Sequence, residues 1–172
     1  PRHAEYCRKA VPRHGFARTR AWRLLGASAH ADGSASAVLG LIDDAQTRAV
    51  WPCAFALELQ LRLSGQTLDI ALQCSNTGVV PWQCATALHT YLRVQDCTLA
   101  GVAGLQGHAF WDALDRQDKT QDEAVLRFPG EVDRVYAGID GAVDLHDAGD
   151  DPGRSVQVTH SGFADIVVWN PG

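Results

Sequence analysis

An all-β chain folded as an antiparallel β-sandwich is what these 172 residues predict, on three observations. Apolar and polar residues alternate at a period of two, most cleanly over residues 55–63. The strand-like stretches are short and separated by Gly, Pro, Ser and Asn turns, and nowhere does the 3.6-residue apolar period of a long helix run on. With 46% hydrophobic and 20% charged residues, the chain is most simply one domain, 1–172, able to bury a core without staples.

Residues 1–12 show neither period, and a chain opening in such a segment reads as one that starts partway through a longer protein. Arg13-His14-Gly15-Phe16-Ala17-Arg18 follows, dense in donor side chains around a glycine. Residues 21–26 read as a short strand closed by Gly26, and 27–34 as a polar turn. Residues 35–42 form a strand, and 43–52 a loop or one helical turn ending at Trp51-Pro52. In 55–63, Phe55, Leu57, Leu59, Leu61 and Leu63 alternate with Ala56, Glu58, Gln60 and Arg62, the pattern of a half-buried strand. Ser64-Gly65-Gln66 turns the chain into 67–74, where Leu68, Ile70 and Leu72 stay in phase, giving a hairpin. Further strands are expected at 85–94, 97–102, 131–136, 155–160 and 165–169, with a Gly-rich turn through Gly104 and Gly107. Residues 110–120 read as a polar loop. The acidic stretch 140–152, with five aspartates around His146, reads as a solvated hairpin tip, because its spacing is not that of an EF-hand.

Composition bounds the function. Five cysteines, odd in number and without CxxC or Cys/His spacing, read as free thiols in a reducing cytosol rather than a disulfide framework or a zinc site. No apolar run approaches a membrane span and no h-region follows the basic start, so a cytoplasmic protein is expected. Residues 1–23 hold seven basic side chains and one acid, a charge of +6, while the remainder holds eight bases and nineteen acids, −11. Such a body repels a polyanion, which argues against nucleic acid. A small anion held by one or two arginines fits better, although Arg2, Arg8 and Lys9 read as a solvated terminus.

The densest chemistry lies in 85–94. As a strand it sets Leu88, Thr90, Leu92 and Val94 on one face and Ala87, His89, Tyr91 and Arg93 on the other. One side suits a core and the other a polar site. Histidine ordinarily titrates near pH ~6.5, so His89 is the candidate for proton transfer, against the plainer reading of a hydrogen-bonded structural histidine. In 131–136, Glu131, Asp133 and Val135 share one face and Val132, Arg134 and Tyr136 the other.

Four segments, His14-Gly15-Phe16-Ala17-Arg18, Ala87-Leu88-His89-Thr90-Tyr91, Val132-Asp133-Arg134-Val135-Tyr136 and Val168-Trp169-Asn170-Pro171-Gly172, occur in the order found in the hexose-6-phosphate mutarotases. These are the glucose-6-phosphate 1-epimerases of the aldose 1-epimerase superfamily, which the chain resembles over nearly its whole length. The resemblance implies an antiparallel sandwich of the galactose-mutarotase-like, or supersandwich, type with sugar bound in a groove on one sheet. It implies interconversion of the α and β anomers of a hexose 6-phosphate by acid and base catalysis of ring opening, with no metal and no cofactor.

Residue by residue, His89 matches the catalytic acid, Asp133 a carboxylate that hydrogen-bonds sugar hydroxyls, and Arg18 part of the phosphate clamp, with Arg13 as a second member. His14 resembles a substrate-contacting histidine, and a loop-stabilising hydrogen bond would account for it equally. The family's general base is a glutamate beyond the Trp-Asn-Pro-Gly turn, where this sequence stops. The chain therefore resembles the middle of a mutarotase, with little catalysis expected of it alone and sheet edges open to association. The expected partner is a small sugar phosphate, with no nucleic acid and no membrane, and the complete protein is expected to be a monomer. Two other readings stay open: a non-catalytic carbohydrate-binding sandwich using the same groove, and an interaction domain whose polar row meets another protein.

Overall fold

A computed structural model of the chain describes residues 14–147 and 154–172. Arg13, the opening segment and Asp150 and Asp151 of the acidic stretch lie outside the described residues. The strands pair antiparallel in three four-stranded sheets, and the chain divides into two compact units, Pro1–Ala85 and Thr86–Gly172.

The first unit is a meander of β1 (Arg23–Ala29), β2 (Ala35–Ile42), β3 (Phe55–Ser64) and β4 (Thr67–Asn76), in that spatial order, with one 3-10 turn at Ala17–Thr19 and one helix, α1 (Ala45–Val50). Register carries the alternation from strand to strand. Leu39, Leu59 and Leu72 stand opposite one another, as do Leu41, Leu57 and Cys74, so their side chains share one face. A capping box starts α1: the Asp44 carboxylate accepts from the Thr47 N–H at 2.7 Å, and the Thr47 hydroxyl accepts from the Asp44 N–H at 2.8 Å. Phe55, 1% exposed, anchors an aromatic cluster with Phe16 and Trp51.

The first strand departs from the expected one. It runs on through Gly26 to Ala29, with the turn following at 30–34. Gly26 does not close it because the register shifts between Leu24 and Gly26, leaving Leu25 as the bulged residue, which packs against Gly40. A run of Gly, Ala and Ser shows no contrast for a period-two reading to detect.

The second unit packs two sheets face to face. One is ordered β11 (Ser155–Val158), β10 (Val143–His146), β5 (Gly101–Ala103), β8 (Val125–Arg127). The other runs β12 (Asp165–Asn170), β9 (Val132–Ala137), β6 (Ala109–Asp112), β7 (Gln117–Thr120). Val102, Leu126 and Leu145 from the first sheet meet Phe110, Val132 and Tyr136 from the second in one buried cluster.

Residues 110–120 are thus a hairpin rather than the expected loop. Polar composition hid it, since the inward face of β6 carries an ion pair. Asp112, 6% exposed, accepts from Lys119 Nζ at 3.0 Å and from the Leu114 N–H at 3.1 Å, and Arg134 Nε lies 3.9 Å away. The strand expected at 97–102 is confined to β5, and Asp147 of the acidic stretch is buried, accepting from the Gln95 N–H at 3.2 Å and from Arg154 at 3.3 Å.

Burial works against the Asp112 charge, but the Lys119 and Leu114 hydrogen bonds and the charges of Lys119 and Arg134 outweigh it, holding the carboxyl below its ordinary 3.8. A depressed folded value contributes stability that is complete above about pH 4 and is lost as pH falls through it. Asp112→Asn is therefore expected to cost about 1–3 kcal/mol near neutrality. Thermal unfolding of both proteins should show that difference shrinking in acid, and a difference independent of pH would contradict the assignment.

The segment expected as the His89 strand has no regular secondary structure from 81 to 94. Alternation makes a chain competent for a ladder, but a strand also needs a hydrogen-bonded neighbour, and none among the described residues pairs with this one. Side chains hold it instead. Val94 packs on the core cluster, and the rings of His89 and Tyr91 stack at 4.9 Å.

Candidate active site

The sheet β12-β9-β6-β7 has two unlike faces. Inward lie Val132, Tyr136, Phe110, Ile166 and Val168. On the other face Asp133 stands directly opposite Trp169, and Val135 stands opposite both Val167 and Trp111. Trp169 and Trp111 are each 41% exposed. Two indoles and a half-buried carboxylate on one open face suit a ligand with both C–H surfaces and hydroxyl groups. Among the described residues, no hydrogen bond or ion pair occupies the Asp133 carboxylate.

His89 joins this face through Trp169. Its ring centroid lies 6.0 Å from the indole at an interplanar angle of 75°, and Tyr91 meets the same indole at 6.3 Å and 83°. Two side chains two positions apart thus lie against one ring, so the period-two reading of 85–94 holds for these residues although the strand does not form. The structure gives His89 and Asp133 a shared neighbour, Trp169.

Local folding explains Asp133. Within Val132-Asp133-Arg134-Val135-Tyr136, the inward residues make the hold. Tyr136, fully buried, donates to Gln121 Oε1 at 2.9 Å, Arg134 donates to the same oxygen at 2.9 Å, and its guanidinium lies 4.4 Å from the Phe110 ring centroid. With those two fixed, alternation turns Asp133 outward. Burial pushes the Tyr136 phenol above its ordinary range, keeping it a neutral donor. In Val168-Trp169-Asn170-Pro171-Gly172, Asn170 donates to Gly130 O at 3.2 Å and accepts from Cys97 Sγ at 3.3 Å, which fixes the end of β12 beside the start of β9. The motif therefore sets the register that places Trp169 across from Asp133.

The other predicted residues belong to the first unit. His14 and Gly15 both take left-handed backbone, φ +66° and +68°. For histidine that conformation is uncommon. Phe16 is drawn into the aromatic cluster, the 3-10 turn follows, and Trp22 Nε1 donates to Ala17 O at 2.9 Å, leaving Arg18 exposed. Arg18 has neither hydrogen bond nor ion pair among the described residues. Arg13 lies outside them.

Trp169 and Trp111 were assigned no role from sequence. The available signal was alternation in Asp165-Ile166-Val167-Val168-Trp169, which puts the indole on the face opposite the apolar Ile166 and Val168. Among the described residues, no three His, Cys, Asp or Glu side chains are grouped to hold a metal ion, and no helix is long and apolar enough to cross a membrane.

The chain matches the aldose 1-epimerase family over residues 4–172 and belongs to it. It is 32% identical over 165 residues to an Escherichia coli K12 protein named "Putative glucose-6-phosphate 1-epimerase", covering 95% of this chain and 53% of that protein. A Cenchrus ciliaris protein of the same name is 29% identical, covering 94% and 51%. Among solved structures, a mutarotase-named protein (YeaD) from Salmonella typhimurium superposes with a TM-score of 0.81 at 30% identity, over 96% of this chain and 53% of that one. HI1317, at 19% identity and a TM-score of 0.71, shares the fold. The chain spans about half the length of the relatives it matches, and its sandwich is of the mutarotase type.

Proposed function

We propose that the protein interconverts the α and β anomers of a hexose 6-phosphate in the cytoplasm, by acid and base catalysis of ring opening. Protonated His89 gives its proton to the ring oxygen as the bond from that oxygen to the anomeric carbon breaks, while a base removes the proton of the anomeric hydroxyl, which becomes the aldehyde oxygen. Rotation about the adjacent carbon–carbon bond presents the other carbonyl face. Ring closure returns both protons, so neither catalyst is consumed. Asp133 accepts hydrogen bonds from sugar hydroxyls. Arg18 and Arg13 bind the phosphate through multi-donor guanidinium groups, and His14 contacts substrate.

The observation that carries this reading is the outward Asp133 carboxylate across from Trp169, with the His89 ring on the same indole. The base is a glutamate outside these 172 residues, consistent with the half-length match to the relatives. A binding-only role remains the alternative for this chain, favoured by the same match together with the aromatic face.

Exchange NMR on glucose 6-phosphate separates the two. The 172-residue chain should bind the sugar phosphate and leave anomer exchange at the buffer rate, and the chain carried with the remainder of its reading frame should accelerate it. Exchange by the short chain at the rate of a full-length relative would refute the external base. Binding without exchange in the longer protein would establish the alternative.

A further inference from the structure

Proton delivery from His89 depends on the plane in which its ring is held. An imidazole gives its proton along an N–H bond lying in the ring plane, so turning that plane carries the proton away from its acceptor. Residues 81–94 have no ladder to steady such a side chain. Downstream, Val94 packs on the core and the Gln95 N–H donates to Asp147 Oδ1 at 3.2 Å. Those contacts fix backbone beyond His89, not the rotation of its ring.

Tyr91 bears on that rotation directly. Its phenol ring lies nearly parallel to the imidazole, with centroids 4.9 Å apart and planes inclined by 13°. Both rings stand edge-on to Trp169, the imidazole at 6.0 Å and 75° and the phenol at 6.3 Å and 83°. One neighbour is therefore parallel to the imidazole and the other nearly perpendicular, so tilting the imidazole about either side-chain torsion loses contact with one or both. Tyr91 is 76% exposed, and burial does not account for its place. Its hydroxyl makes no hydrogen bond among the described residues, so what it presents to His89 is the ring face.

We propose that Tyr91 is a positioning residue for His89, holding the imidazole in the plane from which it delivers a proton to the sugar ring oxygen, a role that rests on the reading of His89 as the acid. Tyr91 acts through His89 and needs no contact with the reacting atoms. What the position requires is a flat aromatic face, so phenylalanine serves there as well as tyrosine and an aliphatic side chain does not. Sequence spacing makes the pair possible: side chains at i and i+2 of an extended segment leave it on the same side.

The test compares Tyr91→Phe with Tyr91→Leu, first in the 172-residue chain and then in the catalytically complete protein. Ring-current shifts report the stack in the short chain. The His89 ring protons should hold their positions in Tyr91→Phe and move downfield in Tyr91→Leu, and neither exposed substitution should shift the urea midpoint. In the complete protein, exchange NMR on glucose 6-phosphate should give Tyr91→Phe the unaltered rate. Tyr91→Leu should lose about 10–100-fold in kcat at an unchanged KM, the scale set by a small misplacement of a reacting group. A raised KM at unchanged kcat would overturn the proposal by assigning Tyr91 to sugar binding. Equal losses in the two variants would overturn it by assigning the work to the hydroxyl, and undiminished kcat in Tyr91→Leu would overturn it outright. Each of those results leaves His89 as the acid. Exchange missing from the unaltered complete protein would instead defeat the anomer-exchange reading and this inference with it.

Discussion

His89→Asn is expected to slow anomer exchange by about 10²–10⁴-fold in the catalytically complete protein, the range over which one positioned proton donor acts. Asparagine keeps a planar, hydrogen-bonding side chain near the Trp169 indole but has no proton to deliver at neutral pH. Substrate affinity should change little, because Asp133, the indoles and the arginines remain. The split between rate and binding is the diagnostic result: a loss confined to kcat assigns proton transfer, whereas an equal loss in affinity assigns His89 to binding alone. Exchange NMR at saturating sugar phosphate, beside a binding titration of each variant, measures both. Undiminished exchange would remove His89 from the reaction.

Tyr136→Ala is expected to cost the second unit about 3–5 kcal/mol, a large fraction of the stability of a small domain. The ring is fully buried between the two sheets, 5.1 Å from Phe110. Its hydroxyl shares Gln121 Oε1 with Arg134. Removing the side chain opens a cavity and leaves the network short of a donor. Tyr136→Phe separates the two terms. It keeps the ring, and Arg134 continues to satisfy the Gln121 oxygen, so a loss of about 1 kcal/mol is expected. Urea unfolding of the three proteins checks the order, and equal losses for the two variants would show that the hydroxyl, not packing, dominates.

Where side chains of unlike polarity alternated, the sequence was sufficient. β2 spans the expected residues, and the β3–β4 hairpin turns where Ser64-Gly65-Gln66 indicated, because leucines recur at every second position on strands whose neighbours are adjacent in sequence. Where contrast was weak, strands were missed: β1 beyond Gly26 is built from small residues, β7 is polar throughout, and β8 has three residues. The 85–94 segment failed for another reason. Its alternation is real, yet a ladder is a property of two segments, and one segment cannot report a missing neighbour.

The site divides in the same way. Asp133 facing outward, with Arg134 flanked by the inward Val132 and Tyr136, was legible from local alternation. The indole that neighbours both Asp133 and His89 was not, because its place opposite Asp133 depends on the register of β9 against β12, some thirty residues apart in sequence. Arg18 enters the proposed site through family motifs alone, and its exposed position follows from Phe16 being drawn into the aromatic cluster.

The most direct measurement is an NMR titration of glucose 6-phosphate into the 172-residue chain, following the Trp169 and Trp111 indole N–H signals and the His89 ring protons. Saturable shifts of Trp169 and His89, weakened by Asp133→Ala, are the expected result. Unmoved Trp169 and His89 signals at concentrations that saturate a full-length relative would contradict a sugar-binding face on this sheet.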